Sequence, residues 1–396
     1  MIQLTFPKDC CGCSACAQRC PQQCIKMQED KEGFLYPSIN TDLCTNCRLC
    51  EKVCPSIVQA NEHLPLKVYA AKNTNEKKRL QSSSGGVFTS LAEIIIKEKG
   101  VIFGACFDEN WEVSHSYTDT LEGIEPYRRS KYVQSNIRNS YQQVEAFLKQ
   151  GRKVLFTGSP CQVAGLKLFL RKEYSNLLSV DFVCHGVPSR KVWRIYLNEV
   201  IQKLSLDSHT PLSKSTIASI NFRNKKNGWK KYCFQLTMQP DRYHHQSELC
   251  EPYYENTFMK GFLHDLILRP SCYQCPSKKG KSGSDLTIAD YWNIQQVLPQ
   301  FDDDKGVGLV LINTNKGAEY YSFIQEIISV STTYEEAKGN NGGFNETIVY
   351  HKNREKFFNR LDKKKNISFW IEEMIKTTNP TLKEQIQSFI KEIFSK

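Results

Sequence analysis

Residues 9–21 read Asp-Cys-Cys-Gly-Cys-Ser-Ala-Cys-Ala-Gln-Arg-Cys-Pro, and residues 43–55 read Leu-Cys-Thr-Asn-Cys-Arg-Leu-Cys-Glu-Lys-Val-Cys-Pro. Both follow the spacing C-x2-C-x2-C-x3-C closed by proline, with Cys10, Cys13, Cys16 and Cys20 in the first and Cys44, Cys47, Cys50 and Cys54 in the second. Three cysteines at intervals of three wrap a loop around one iron-sulfur cube, and the fourth, at the following helical turn, reaches the other cube. Crosswise ligation follows: Cys10, Cys13, Cys16 and Cys54 for cluster one, and Cys44, Cys47, Cys50 and Cys20 for cluster two. Structural zinc sites pair their ligands as separate C-x2-C knuckles, and a tight four-cysteine loop ending in Cys-Pro does not suit that geometry. Cys11 and Cys24 fall outside the pattern and read as bystanders packed near the cubes. Gly33-Phe34-Leu35-Tyr36-Pro37 reads as the short strand and turn of a bacterial-ferredoxin-like α+β domain over residues 1–60.

The chain has 396 residues, of which 40% are apolar, enough for more than one core. The longest apolar candidate, near Ile94 to Phe107, is interrupted by Lys97, Glu98, Lys99 and Gly100, so no transmembrane segment is expected. Met1 to Lys8 carries no basic stretch followed by an apolar one, and the chain reads as cytoplasmic. Ten of the 17 cysteines precede residue 55. In a cytoplasmic chain of this size, metal binding is the better reading of them than disulfides. The formal charge of +11 counts thiols as neutral. A cubane with four thiolates carries about −2, so three would leave roughly +5 and little case for a nucleic-acid partner. The excess is local: residues 352–396 hold eleven Lys or Arg against six Asp or Glu and read as a basic helical C-terminal segment, grouped as 346–396.

Residues 55–68 read as a linker. Beyond it, Val101–Ala105, Val154–Thr157, Leu178–Val183 and Leu309–Ile312 are short apolar runs suited to buried strands. Val87–Lys99, Tyr141–Gln150, Cys161–Arg171 and Arg190–Leu204 have helical patterning. Ile217–Arg223 and Lys231–Leu236 look antiparallel. The body, 68–345, is therefore expected to be α/β, with a mixed, partly parallel sheet and flanking helices. In one βαβ unit, strand 153–157 leads through Gly158-Ser159-Pro160-Cys161 into a helix and back to strand 177–183, which ends in Cys184-His185-Gly186. Parallel strands present their carboxyl ends on one sheet edge, so Cys161 and Cys184 should be neighbours there. With the loop pair Cys272 and Cys275 they make a four-thiolate site, expected to hold a third 4Fe-4S cluster. Zinc or plain buried thiols are the alternatives.

Ser82-Ser83-Ser84-Gly85-Gly86 precedes a helix whose free amides favour phosphate, although serines also cap ordinary helices. Arg128-Arg129-Ser130-Lys131-Tyr132 offers cations, a hydroxyl and an aromatic ring, suited to a dinucleotide or flavin and equally to a solvated turn. His185 reads at least as readily as structural as catalytic.

Several motifs occur in order between about residues 68 and 330. They are Ser84-Gly85-Gly86, Ser130-Lys131-Tyr132-Val133, Gly158-Ser159-Pro160-Cys161-Gln162, Val183-Cys184-His185-Gly186-Val187-Pro188, Phe222-Arg223, Arg269-Pro270-Ser271-Cys272 and Ser284-Asp285-Leu286-Thr287-Ile288-Ala289-Asp290. This combination resembles the coenzyme F420 hydrogenase/dehydrogenase beta-subunit family, in its dehydrogenase-type members that carry two cubanes in front. The resemblance implies a flavin, normally FAD, beside a 4Fe-4S cluster, in an oxidoreductase that passes single electrons through clusters and hydride through the flavin. It assigns Cys161, Cys184, Cys272 and Cys275 to the body cluster, and Ser84, Gly85, Gly86, Thr89, Ser130, Lys131 and Tyr132 to the flavin. The implied partners are a redox protein or soluble electron carrier and a small-molecule substrate or deazaflavin-like carrier. Bacterial relatives look like members of surface-polysaccharide loci. The chain departs from the family's Gly-Asp-Phe-Trp-Gly with Ala289-Asp290-Tyr291-Trp292-Asn293. The alternative function is a non-catalytic electron-transfer subunit of a larger redox complex.

Overall fold

The computed structural model describes residues 2, 6–208, 212–240, 244–339 and 341–376. The end of the basic C-terminal segment, 377–396, lies outside the described residues.

The cysteine repeat folds as two matching halves. Short helices at Ala15–Arg19 and Leu49–Lys52 follow the two cysteine loops, and a hairpin of β1 (Ile25–Glu29) and β2 (Leu35–Ile39) pairs Ile25 with Ile39. Gly12 and Asn46 occupy equivalent places in the two loops and both have positive φ, 71° and 53°. The next equivalent pair, Ser14 and Arg48, does the same at 64° and 59°. Left-handed residues alternating with ordinary ones turn successive N–H groups to one side, a concavity that suits anionic sulfur clusters.

The body is built on β3 (Lys67–Asn73), β4 (Val101–Phe107), β5 (Val113–Thr118), β6 (Val154–Gly158), β7 (Leu177–Phe182), β11 (Leu286–Asp290), β12 (Gly308–Ile312) and β13 (Ile327–Thr332). They form one sheet in the order β13-β3-β12-β11-β7-β6-β4-β5. β4, β6, β7 and β11 run parallel, and the other neighbours are antiparallel. The expected mixed, partly parallel sheet is the one present. Side chains alternate across it with the period of two that a pleated strand imposes. Ile102, Leu155 and Leu178 face the helix Val87–Lys97. Val101, Phe103, Val154, Phe156 and Leu177 face the other way, against Tyr141, Val144, Leu166 and Phe169 of two further helices. Cys11, Cys13, Ala15 and Val53 join this second layer, so the cysteine module shares the body's core.

A three-stranded antiparallel sheet, β8 (Ile217–Asn224), β9 (Cys233–Met238) and β10 (Glu248–Pro252), packs with the helices Arg190–Ser208 and Thr257–Leu263. Phe357, Phe358, Trp370, Ile371 and Met374, from the helices Arg354–Asn359 and Ile367–Lys376, complete that core. No described helix is long and apolar enough to cross a membrane.

Candidate iron-sulfur and flavin site

Cys10, Cys13, Cys16 and Cys54 lie within electrostatic reach of one another. A small cavity is lined by Cys20, Cys44, Cys47 and Cys50, with Cys24 beside them. The structure thus brings the members of each expected set near one another, and Cys50 of the second set also acts electrostatically on Cys16 of the first. Backbone amides point at the sulfurs: the N–H of Gly12 donates to Cys10 Sγ at 3.3 Å and that of Ile2 to Cys50 Sγ at 3.3 Å. Burial, then the charges of Cys10 and Cys54, push the Cys16 thiol far up. A crowd of buried thiols thus resists ionisation by itself, and iron supplies the positive charge that lets them all become thiolates. Cys47 is exposed while Cys13 and Cys16 are buried, so the second set faces outward and the first faces the body.

The body's four cysteines converge from three elements. Ser159 caps the helix Pro160–Leu170 with Pro160 as its first residue, and Gln162 reaches back to the Ser159 N–H at 3.0 Å. This capping fixes Cys161 in the first turn at the carboxyl end of β6. Cys184 leaves the carboxyl end of the adjacent parallel strand β7. Cys272 lies in the 3-10 turn Pro270–Gln274, and Cys275 caps it. Cys161, Cys272 and Cys275 all act electrostatically on Cys184, whose thiol burial pushes far up, while the Lys278 ammonium opposes the shift. Burial and Cys275 push the Cys272 thiol up to about 12. Among the described residues no three His, Cys, Asp or Glu are placed to share one metal ion. The donor set is four soft sulfurs with no imidazole or carboxylate among them, which fits an iron-sulfur cluster.

Arg269 joins the two regions, and its motif alone had given it no role. Fully buried, it donates from Nε to the Cys10 carbonyl at 2.8 Å, from one Nη to Gln134 Oε1 at 3.0 Å, and from the other to the Leu35 carbonyl at 2.9 Å. Its guanidinium lies 4.3 Å from the Tyr36 ring centroid. A β-carbon on Gly12 would come within 2.8 Å of Arg269 Nη1, so glycine there admits both the positive φ and the arginine. Arg354 pairs with Glu32 on the hairpin at 2.6 Å, and Arg19 pairs with Glu145 at 3.4 Å.

The flavin candidates form a second group. Ser83 Oγ accepts from the Ser130 N–H at 2.8 Å, tying the loop that carries Ser84, Gly85 and Gly86 to the stretch that carries Ser130, Lys131 and Tyr132. Gly86, with φ of 87°, precedes the first turn of the helix Val87–Lys97. Much of the group is internally committed. Ser84 Oγ donates to the Val307 carbonyl at 2.7 Å, and Lys131 Nζ donates to the Arg128 carbonyl at 2.7 Å. A β-carbon on Gly85 would meet the Ala71 carbonyl at 2.2 Å, so this glycine serves contact with the sheet. Burial lowers the Lys131 ammonium to about 7. Thr89 Oγ1 and Arg223 Nε are buried without a partner. Arg223 pairs through both Nη atoms with Asp290, at 2.8 and 3.0 Å, and donates to Tyr132 Oη at 3.1 Å. Trp229 Nε1 also donates to Asp290, at 2.9 Å. Phe262 connects the groups, its ring 4.7 Å from Tyr132 and 5.1 Å from His185, which follows Cys184. His185 Nε2 is held 2.6 Å from Asp265.

Residues 151–338 match the family model for the C terminus of the coenzyme F420 hydrogenase/dehydrogenase beta subunit. Over these residues, just under half of the chain, the sequence is similar to that family. Residues 9–58 match the 4Fe-4S dicluster domain, so this beta-subunit-like chain carries its own iron-sulfur module. Among solved structures, a chain of the F420-reducing NiFe hydrogenase complex from Methanosarcina barkeri is 17% identical, with a TM-score of 0.45 over 80% of this chain and 92% of that one. No curated protein matches the chain.

Proposed function

We propose that the chain is an iron-sulfur flavoprotein oxidoreductase. Electrons pass between the dicluster module, a third 4Fe-4S cluster held by Cys161, Cys184, Cys272 and Cys275, and an FAD bound near Ser84, Gly85, Gly86, Thr89, Ser130, Lys131 and Tyr132. The observation that carries this reading is the convergence of four body cysteines beside the inward-facing cysteine set of the module. A bound flavin supplies exchange between one-electron and two-electron chemistry. The chain's own residues do the rest. The left-handed loops aim amides at sulfur, Arg269 holds the module against the body, and Thr89 Oγ1 and Arg223 Nε are donors left over for a ligand. The substrate fitting this reading is a soluble two-electron carrier of deazaflavin type or a small molecule, with surface-polysaccharide biosynthesis as the setting the resemblance points to.

The internal bonding of Ser84 and Lys131 favours a second reading, an electron-transfer subunit that docks a catalytic partner and binds no flavin. Anaerobic purification with iron analysis and flavin extraction separates the two. The first reading expects about twelve irons per chain and one released flavin. Twelve irons without flavin would select the second, and eight would remove the body cluster.

A further inference from the structure

Lys225 follows β8 (Ile217–Asn224) in the three-stranded sheet, yet its ammonium reaches out of that sheet. Nζ donates to three backbone carbonyls, those of Lys305 at 2.8 Å, Arg79 at 2.9 Å and Ser84 at 3.1 Å. An ammonium has three N–H donors, so all of them are spent on backbone. Arg79 lies in the short helix Glu76–Leu80 that leads into Ser82-Ser83-Ser84-Gly85-Gly86, Ser84 lies in that loop, and Lys305 precedes β12. The enclosure is tight. A β-carbon on Gly306, whose φ is 107°, would come 2.8 Å from Lys225 Nζ and 2.8 Å from the Ser84 carbonyl oxygen. Arg79 Nε closes it by donating to the Gly306 carbonyl at 2.7 Å. Burial pulls the Lys225 ammonium down to about 7, but three carbonyls can only accept, which favours the charged form.

The Ser84–Gly85 and Gly85–Gly86 peptides are trans, so each carbonyl points opposite to the N–H of the residue after it. The Ser84 carbonyl is turned to Lys225, and the Gly85 carbonyl is turned to the Asn73 N–H at 2.8 Å. The Gly85 and Gly86 amides therefore face away from those donors, just ahead of the first turn of the helix Val87–Lys97. We infer that Lys225 is a positioning residue for the flavin site: by holding the loop's carbonyls it fixes the backbone whose amides meet the dinucleotide's pyrophosphate. The inference rests on the proposed flavin. Lys225 acts through the loop and not by touching the ligand. A lysine that only joined the two sheets would, on replacement, leave the folded protein's affinity for FAD unchanged.

The test compares wild type, Lys225→Met and Lys225→Arg, each full-length and purified without oxygen. Iron content, FAD affinity by fluorescence titration, and hydrogen exchange of the 79–86 peptide without added FAD are measured on all three. The methionine variant is expected to keep wild-type iron, to bind FAD about tenfold more weakly, and to exchange faster in 79–86. The arginine variant, which keeps charged donors, is expected to recover most of the affinity. Wild-type affinity and wild-type exchange in the methionine variant at full iron would overturn the positioning role. Loss of iron together with FAD in that variant would overturn it too, because the proposed cluster ligands stand on other elements. A wild type with full iron that takes up no FAD would instead refute the flavin reading, and this role with it.

Discussion

In the dicluster module three cysteines of each expected set come from one short loop, Cys10 to Cys16 or Cys44 to Cys50, and the proposed fourth comes from the other half. In the body the four come from a helix start, a strand end and a 3-10 turn spread between Cys161 and Cys275. The first arrangement is determined by local backbone conformation, with left-handed residues at matching places in both copies. The second exists only after β6 and β7 have paired in parallel and Pro270–Gln274 has packed against the module. One site is written in spacing and the other in topology, and the two respond differently to mutation.

The largest effect is expected where the regions meet. Arg269→Met keeps length and apolar bulk but leaves the Cys10 and Leu35 carbonyls and Gln134 Oε1 without their donor. A cost of roughly 3 kcal/mol follows from the loss of charged hydrogen bonds to buried acceptors. Denaturant titration should report that loss, and limited proteolysis should cut the linker before the body. The module should retain its irons, because its ligands are its own; a module stripped of iron would break the distinction.

A smaller effect tests packing of the module on the helix Pro160–Leu170. A β-carbon at Gly165 would approach Cys13 Sγ to 2.9 Å. Gly165→Ala should destabilise by about 1–3 kcal/mol through overpacking, and the EPR signal of the inward cluster should change while that of the outward cluster stays. Equal perturbation of both would contradict the packing.

Much of this molecule was legible from sequence, for identifiable reasons. The crosswise sets follow from a repeated spacing, and the parallel strands β4, β6 and β7 follow from apolar runs separated by helical patterning. β11 stood only as a motif, since Ser284-Asp285-Leu286-Thr287 reads as polar. Its polar groups are matched across the sheet, with Asp285 accepting from Ser179 Oγ at 2.7 Å and Thr287 Oγ1 donating to Asp181 at 2.5 Å. Arg269 and Arg354 were illegible as anchors because their partners are backbone carbonyls and a hairpin glutamate far away in the chain, contacts no local pattern encodes. Gly85 read as an approach to phosphate, whereas its lack of a side chain is accounted for by the Ala71 carbonyl and the Gly308 amide.

The smallest effect concerns pH within the body alone. His115 is buried, with Nε2 donating to the Thr157 carbonyl at 2.9 Å and Nδ1 against Ser135 Oγ at 2.6 Å. Burial lowers its pKa to about 4. The unfolded chain, with an imidazole pKa of about 6.5, binds the proton first, so stability is lost as pH falls from about 6.5 through about 4. Comparing denaturation at pH 7 and pH 5, His115→Gln should flatten this part of the pH dependence. A slope equal to wild type would place the titration elsewhere.

The body site is tested most directly by iron analysis and EPR on Cys272→Ser beside wild type, both purified without oxygen. Loss of about four irons of twelve, with both module signals preserved, is the expected result. Unchanged iron and an unchanged spectrum would contradict a cluster at Cys161, Cys184, Cys272 and Cys275.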